Sequence, residues 1–134
     1  MKPTIKLAET TTPEGEPLEL HQHDKDFFIS SRGQRLMTSF SHGSEEDLAR
    51  LGCQPFRSAR QPNILIGGLG MGFTLAAAVE SLTNQKASFV VAELTTAVID
   101  WNKTHMDSLH PGLFDDPRVI IKNAPVQSLS LIHI

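Results

Sequence analysis

Asn63-Ile64-Leu65-Ile66-Gly67-Gly68-Leu69-Gly70-Met71-Gly72-Phe73 sets the reading of this chain: three aliphatic residues run into four glycines within six positions. Thr74-Leu75-Ala76-Ala77-Ala78-Val79 follows at once, an alanine-rich stretch with strong helix propensity. An apolar run, a turn without side chains and a helix former in direct succession predict a buried strand, a glycine loop and a helix. This is the first half of a Rossmann-like βαβ unit. Backbone N–H groups in such a loop approach a ligand closely, and the unsatisfied donors of the helix N-terminus point to the same place.

Spacing separates the motifs that share this plan. Gly67 and Gly72 have the separation of a phosphate-clamping P-loop, but Phe73 stands where the phosphate-neutralising lysine belongs, which argues against a nucleoside triphosphatase. The dinucleotide pattern GxGxxG needs a glycine at position 73 or 75, occupied here by Phe73 and Leu75. What remains is Gly68-x-Gly70-x-Gly72, a spacing that suits an S-adenosyl sulfonium ligand, which carries a ribose and an aliphatic arm and no pyrophosphate. The competing reading is a loop that serves only tight strand–helix packing.

Phe89-Val90-Val91-Ala92-Glu93-Leu94 supplies a second apolar strand, and it ends on an acid. Glu93 lies about 20 residues beyond the loop, where a carboxylate at the strand tip accepts the ribose hydroxyls. Its competing role is a strand-end charge facing the dipole of the next helix.

At 134 residues the chain suits one modest domain or part of a larger one. Hydrophobic residues at 40% and charged residues at 20% fit a globular protein and not a disordered one. A net charge of −3 spread along the chain offers no basic face for nucleic acid. Cys53 stands alone between Leu51 and Phe56 and reads as a buried thiol. With no apolar run long enough for a signal peptide or a membrane span, a cytoplasmic protein with no membrane partner is the expectation.

Residues 1–16 are rich in proline, threonine and charge and read as a loose lead-in. Leu18-Glu19-Leu20, Asp26-Phe27-Phe28-Ile29 and Leu36-Met37-Thr38-Ser39-Phe40 alternate around two turn signals, which predicts a small three-stranded antiparallel sheet over 17–43. His21 and His23 share one strand face there, without the partners a metal site needs. Ser44 is placed to cap a helix that begins Glu45-Glu46-Asp47, has Leu48 and Leu51 on its inner face and stops at Gly52. Thr95 or Thr96 caps a later helix carrying Val98 and Trp101, with Trp101 a packing residue. Arg118-Val119-Ile120-Ile121-Lys122 is the third candidate parallel strand, so that 44–127 reads as a partial Rossmann-like domain.

This order of elements, with Ser44-Glu45-Glu46, Ile66-Gly67-Gly68-x-Gly70, the strand ending in Glu93 and Asp116-Pro117-Arg118-Val119, resembles the polyamine aminopropyltransferase family, its spermidine synthase-like members above all. The resemblance spans roughly residues 18–122. It implies an α/β fold: a partial Rossmann-like, class I S-adenosylmethionine-dependent methyltransferase-type fold preceded by a small antiparallel β-domain. It also implies transfer of an aminopropyl group from decarboxylated S-adenosylmethionine, a co-substrate and not a tightly bound cofactor, to a small-molecule amine, with a homodimer as a possible assembly. Gly67, Gly68, Leu69, Gly70 and Gly72 match the family's nucleoside loop, and Glu93 with the adjoining Leu94 its ribose-binding strand end. Glu45 and Glu46 are weaker candidates to attract a cationic amine, the competing reading being the solvated first turn of a helix.

The departures keep other functions open. The family's loop carries an aspartate where Gly70 stands, and that aspartate partners the propylamine cation. An aromatic residue and its polar partner are replaced in Ser44-Glu45-Glu46, and Asn123-Ala124-Pro125 replaces a Gly-Asp pair near the adenine. A methyltransferase using ordinary S-adenosylmethionine and a non-catalytic nucleoside-binding module therefore stand beside the aminopropyltransferase. The family's catalytic carboxylates follow a fourth strand, expected beyond residue 134, so no catalytic residue is assigned. Residues 128–134 end on an apolar run and read as a non-native tail. The 134-residue chain by itself is expected to be an inactive fragment.

Overall fold

The computed structural model describes residues 3–125. The tail read at 128–134 lies outside the described residues. Four strands, β1 (Thr4–Thr11), β2 (Pro17–His23), β3 (Asp26–Ser31) and β4 (Gln34–Thr38), form an antiparallel sheet in chain order. Each connection is a local device. The Thr12 hydroxyl accepts Glu16 N–H at 3.0 Å, Gln22 Nε2 donates to the Asp24 carbonyl at 2.9 Å, and Arg32-Gly33 turns with both φ angles positive (52° and 81°). Such a two-residue turn matches the right-handed twist of the strands it joins.

The sheet has one strand more than the three expected, and the extra one corrects the reading of 1–16 as a loose lead-in. Thr4 to Lys6 and Ala8 to Thr11 pair with β2, and the register shifts between Lys6 and Ala8. That bulge breaks the two-residue alternation that marks a strand in sequence. Threonine also favours extended backbone, so Thr4, Thr10 and Thr11 count toward a strand despite their polarity.

Helix α1 (Gly43–Cys53) follows, then a 3₁₀ turn at Gln54–Phe56 and the parallel unit: β5 (Asn63–Gly67), α2 (Phe73–Ser81), β6 (Ser88–Ala92), α3 (Thr96–Thr104) and β7 (Val119–Lys122). The strands lie in the order β5-β6-β7. Ile64, Phe89 and Val119 are in register, as are Ile66, Val91 and Ile121, and this face forms the core with α2 and α3. Leu18, Leu20, Phe27 and Ile29 of the antiparallel sheet join the same apolar cluster. On the opposite face Val90 and Ala92 are buried against Leu65, while Ile120 is 45% exposed.

Two details of α1 differ from expectation. Ser44 does not cap it: His42 is the N-cap residue, no side chain bonds the free amides, and the Ser44 hydroxyl lies 3.4 Å from Glu45 Oε2. Nor does the helix stop at Gly52. Its inner face is Ala49 and Cys53, both buried, whereas Leu48 and Leu51 are 66% and 70% exposed. Small side chains let α1 lie close against α2, and close backbone approach outweighs the hydrophobicity of the leucines.

Asp116 and Arg118 tie β7 to the rest. Arg118 forms a two-pronged pair with Asp116 (Nη2–Oδ2 2.9 Å, Nε–Oδ1 3.1 Å) and donates Nη1 to the carbonyls of Leu82 and Asn84, with its guanidinium carbon 5.3 Å from the Phe89 ring centre. The guanidinium fork suits a carboxylate and two carbonyls at once. Its hydrogen bonds hold the Asp116 carboxyl below the ordinary aspartate value. The Asp-Pro-Arg-Val sequence is thus a structural clasp between the loop after α2 and the start of β7. No helix among the described residues is long and apolar enough to cross a membrane.

Candidate functional site

The loop Gly67–Gly72 leaves the C-terminal end of β5 and enters α2. Gly68, Gly70 and Gly72 have φ angles of 97°, 54° and 84°. Gly72 is the position where this matters most for folding. It is the N-cap of α2, and a Cβ there would lie 3.0 Å from His110 Cδ2 and 3.5 Å from Asn102 Oδ1.

Three side chains hold the loop, and all three bond its backbone. Glu93, at the tip of β6, accepts Leu69 N–H on Oε1 at 2.8 Å and Thr95 N–H on Oε2 at 3.0 Å. Asn102, fully buried in α3, donates Nδ2 to the carbonyls of Gly70 and Val98, both at 2.8 Å. His110 Nε2 lies 3.0 Å from the Met71 carbonyl and donates to it. Gly68 N–H completes the frame on the Ala92 carbonyl at 2.8 Å. The Gly70 and Met71 carbonyls are therefore turned toward α3 and His110.

Asn102 and His110 were not singled out from sequence. The available signal was weak but real: Asn102 is a polar residue on the face of α3 that also carries Val98 and Trp101, and a buried amide needs partners. His110 gave none, because its partner lies 39 residues away in sequence.

Phe73, in place of a P-loop lysine, is a packing residue. The His42 ring stacks on it at 4.1 Å and 3°, and the His110 ring packs nearly perpendicular to it at 4.6 Å and 83°. Burial pushes the His110 imidazole below its ordinary value, the nearby His42 acting the same way while the bond to Met71 and the Glu46 charge oppose it. A depressed folded-state value means the neutral ring contributes stability that is complete above about pH 6.5 and is lost as the pH falls through the depressed value. Stability should therefore fall from about pH 7.5 to about pH 5.5, and His110→Gln, which keeps a donor but does not titrate, should flatten that limb. Urea unfolding at the two pH values measures this; an unchanged slope in the variant would assign the acid sensitivity elsewhere.

Above the loop lies an open cleft of about 500 Å³. Its floor is Gly67 to Met71, its inner end Glu93, and its opposite wall Met37 and Thr38 of β4 with Ser41 and Glu45. Met37 Sδ is 3.6 Å from where a Gly70 Cβ would stand. The fold thus brings residues 67–71, Glu93 and Glu45 to one cavity, whereas Gly72, expected with them, does not line it and abuts His110 and Asn102. Glu46 does not line it: its carboxylate is engaged by His42 Nδ1, and Arg50 lies at 3.7 Å. Leu94 also faces elsewhere, toward a groove beside residues 10–13, and its carbonyl accepts Asn123 Nδ2 at 3.0 Å. His21 pairs with Glu19 and stacks on Phe28, and among the described residues no cluster of histidine, cysteine or acidic side chains is arranged for a metal.

The cleft's chemistry follows from this geometry. A carboxylate offers about four lone-pair sites, and each Glu93 oxygen uses one on a backbone amide. One acceptor site per oxygen remains, a pair suited to two vicinal hydroxyls. The glycine loop opposite carries no lysine or arginine for a phosphate, and Arg35, which also lines the cleft, has its guanidinium carbon 4.1 Å from the Phe28 ring centre.

Solved structures with a similar fold include spermidine synthases. One is a spermidine synthase in complex with the transition-state analogue AdoDATO, with a TM-score of 0.69, 20% identity, and alignment over 90% of this chain and 41% of that one. The spermidine synthase from Thermotoga maritima matches with a TM-score of 0.69 and 20% identity over 90% of this chain and 40% of its own. A probable spermidine synthase from Corynebacterium glutamicum matches with a TM-score of 0.58 and 14% identity over 97% and 47%. The chain spans less than half the length of these structures. No family model and no curated protein matches the sequence.

Proposed function

We propose that this chain is the nucleoside-binding part of a spermidine synthase-like aminopropyltransferase, and that its cleft takes decarboxylated S-adenosylmethionine as co-substrate. The observation that carries the reading is Glu93: a carboxylate at a strand tip, fixed by the Leu69 amide of the glycine loop and the Thr95 amide of its own turn, and facing a glycine loop that carries no basic residue. The shared fold with spermidine synthases supports it, one of them holding a transition-state analogue. In the reaction an amine nitrogen attacks the carbon bound to the sulfonium sulfur, the C–S bond breaks, a neutral thioether leaves and the amine gives up a proton. The sulfonium is already activated, so the protein's task is to hold donor and amine in line. Glu93 and the glycine loop serve the donor. Glu45 is the group of this chain placed to attract a cationic amine, and the base that takes the proton is not assigned to any residue here.

A second reading has its own observation. Gly70 carries no carboxylate, and its nearest neighbour is the Met37 thioether. A cleft lined this way offers the propylamine cation no partner at that point, which favours ordinary S-adenosylmethionine and methyl transfer. Calorimetric titration of the chain with both sulfonium nucleosides decides: preference for the decarboxylated form supports the first reading, preference for the parent compound the second. Binding of neither would leave a fold without the chemistry.

A further inference from the structure

We infer that Asn123 is a positioning residue for nucleoside recognition, acting through Glu93. The inference rests on the nucleoside reading of the cleft. Asn123 directly follows β7, and its side chain is committed at both ends. Nδ2 donates to the Glu93 carbonyl at 2.9 Å and the Leu94 carbonyl at 3.0 Å, while Oδ1 accepts the Thr96 hydroxyl at 3.1 Å. The Thr96 contact fixes which way the amide faces, because a hydroxyl donor needs the oxygen and two carbonyls need the NH₂.

The consequence reaches the cleft through the chain itself. Glu93 N–H already donates to the Lys122 carbonyl at 2.9 Å, so Asn123 fixes the other side of the same residue. It also holds Leu94, and the next residue is Thr95, whose N–H supports Glu93 Oε2. Asn123 thus shapes the 93–96 turn in which the carboxylate and one of its two amide donors are set. Without it the turn keeps its covalent path but loses the three side-chain bonds that orient it, and the free lone pairs of Glu93 no longer converge on one diol. Specificity for the ribose depends on such placement more than on the presence of the acid.

The test compares adenosine with 2′,3′-dideoxyadenosine, measured by calorimetry on the whole chain. Wild type should prefer adenosine by about tenfold or more, the value of hydrogen bonds to a charged acceptor. Asn123→Ala should bring that ratio to within about threefold of unity. Asn84→Ala is the control, since Asn84 also bonds two carbonyls, those of Ala59 and Arg60, but lies away from the cleft. It should lower thermal stability and leave the ratio alone. Asn123→Asp keeps the shape and the Thr96 contact while placing an acceptor against two carbonyls, so it reports the same ratio if the alanine variant does not fold. A ratio in both Asn123 variants equal to that of wild type would overturn the inference and leave the nucleoside reading intact. Binding of neither nucleoside by wild type would overturn both.

Discussion

Glu93→Ala is expected to weaken nucleoside binding by about 1.5–3 kcal/mol and also to lower the stability of the free protein by about 2–4 kcal/mol. The first figure is the usual value of hydrogen bonds from ligand hydroxyls to a charged acceptor. The second comes from the protein's own use of the carboxylate. Leu69 N–H and Thr95 N–H would each lose a charged acceptor, in a partly buried setting where water replaces only part of it. Glu93→Gln separates the two effects. Its amide keeps one carbonyl oxygen but turns an NH₂ toward one of the two backbone donors, so about half of each loss should return. Urea unfolding without ligand gives the stability part, and calorimetry on the folded variants gives the binding part. If Glu93→Ala binds adenosyl compounds as wild type does, the ribose assignment is wrong. If it is also as stable as wild type, the role of Glu93 in holding the loop is wrong too.

Which parts of the site were legible in sequence depends on how local their patterns are. The loop and Glu93 lie on one βαβ unit, where strand, turn and strand end occur at fixed intervals, so pattern alone finds them. The turn signals Asp24-Lys25 and Arg32-Gly33 are equally local, and the hairpins stand where they predict. β1 was not legible, because the bulge near Leu7 interrupts its alternation and threonine-rich polar strands resemble loops. The inner face of α1 was misread for a different reason. Hydrophobicity nominates Leu48 and Leu51, while the close contact with α2 selects Ala49 and Cys53 by size. Asn102, His110 and Asn123 belong to a third class. Each bonds backbone carbonyls 29 to 39 residues away, and no local spacing encodes such a contact. Asn123 is the instructive case: in sequence it marked only a departure from the family pattern, and in the fold it organises the strand end beside the cleft.

Gly72→Val is expected to be the most destabilising single change in the loop, at about 2–5 kcal/mol, whereas Gly70→Val should cost about 1–2 kcal/mol of stability and abolish ligand binding. Both positions have positive φ, 84° and 54°, so a β-branched residue pays the left-handed backbone penalty at either. The difference lies in what the new side chain meets. At position 72 the Cβ alone would stand 3.0 Å from His110 Cδ2, and the His110 ring is held by the Phe73 ring and the Met71 carbonyl. It cannot withdraw without giving up its bond to Met71, so the clash falls on a fixed neighbour. At position 70 the one contact within 4 Å is Met37 Sδ at 3.6 Å, an ordinary approach to a flexible side chain on the cleft wall. The added methyls would project into the cavity where the donor is expected to lie, so the fold survives and the site is filled. Denaturant midpoints and nucleoside affinity measured on both variants should move in opposite order: stability lost mainly at position 72, binding lost mainly at position 70. Equal destabilisation at the two positions, with affinity unchanged among the folded molecules of Gly70→Val, would mean that the loop serves packing alone.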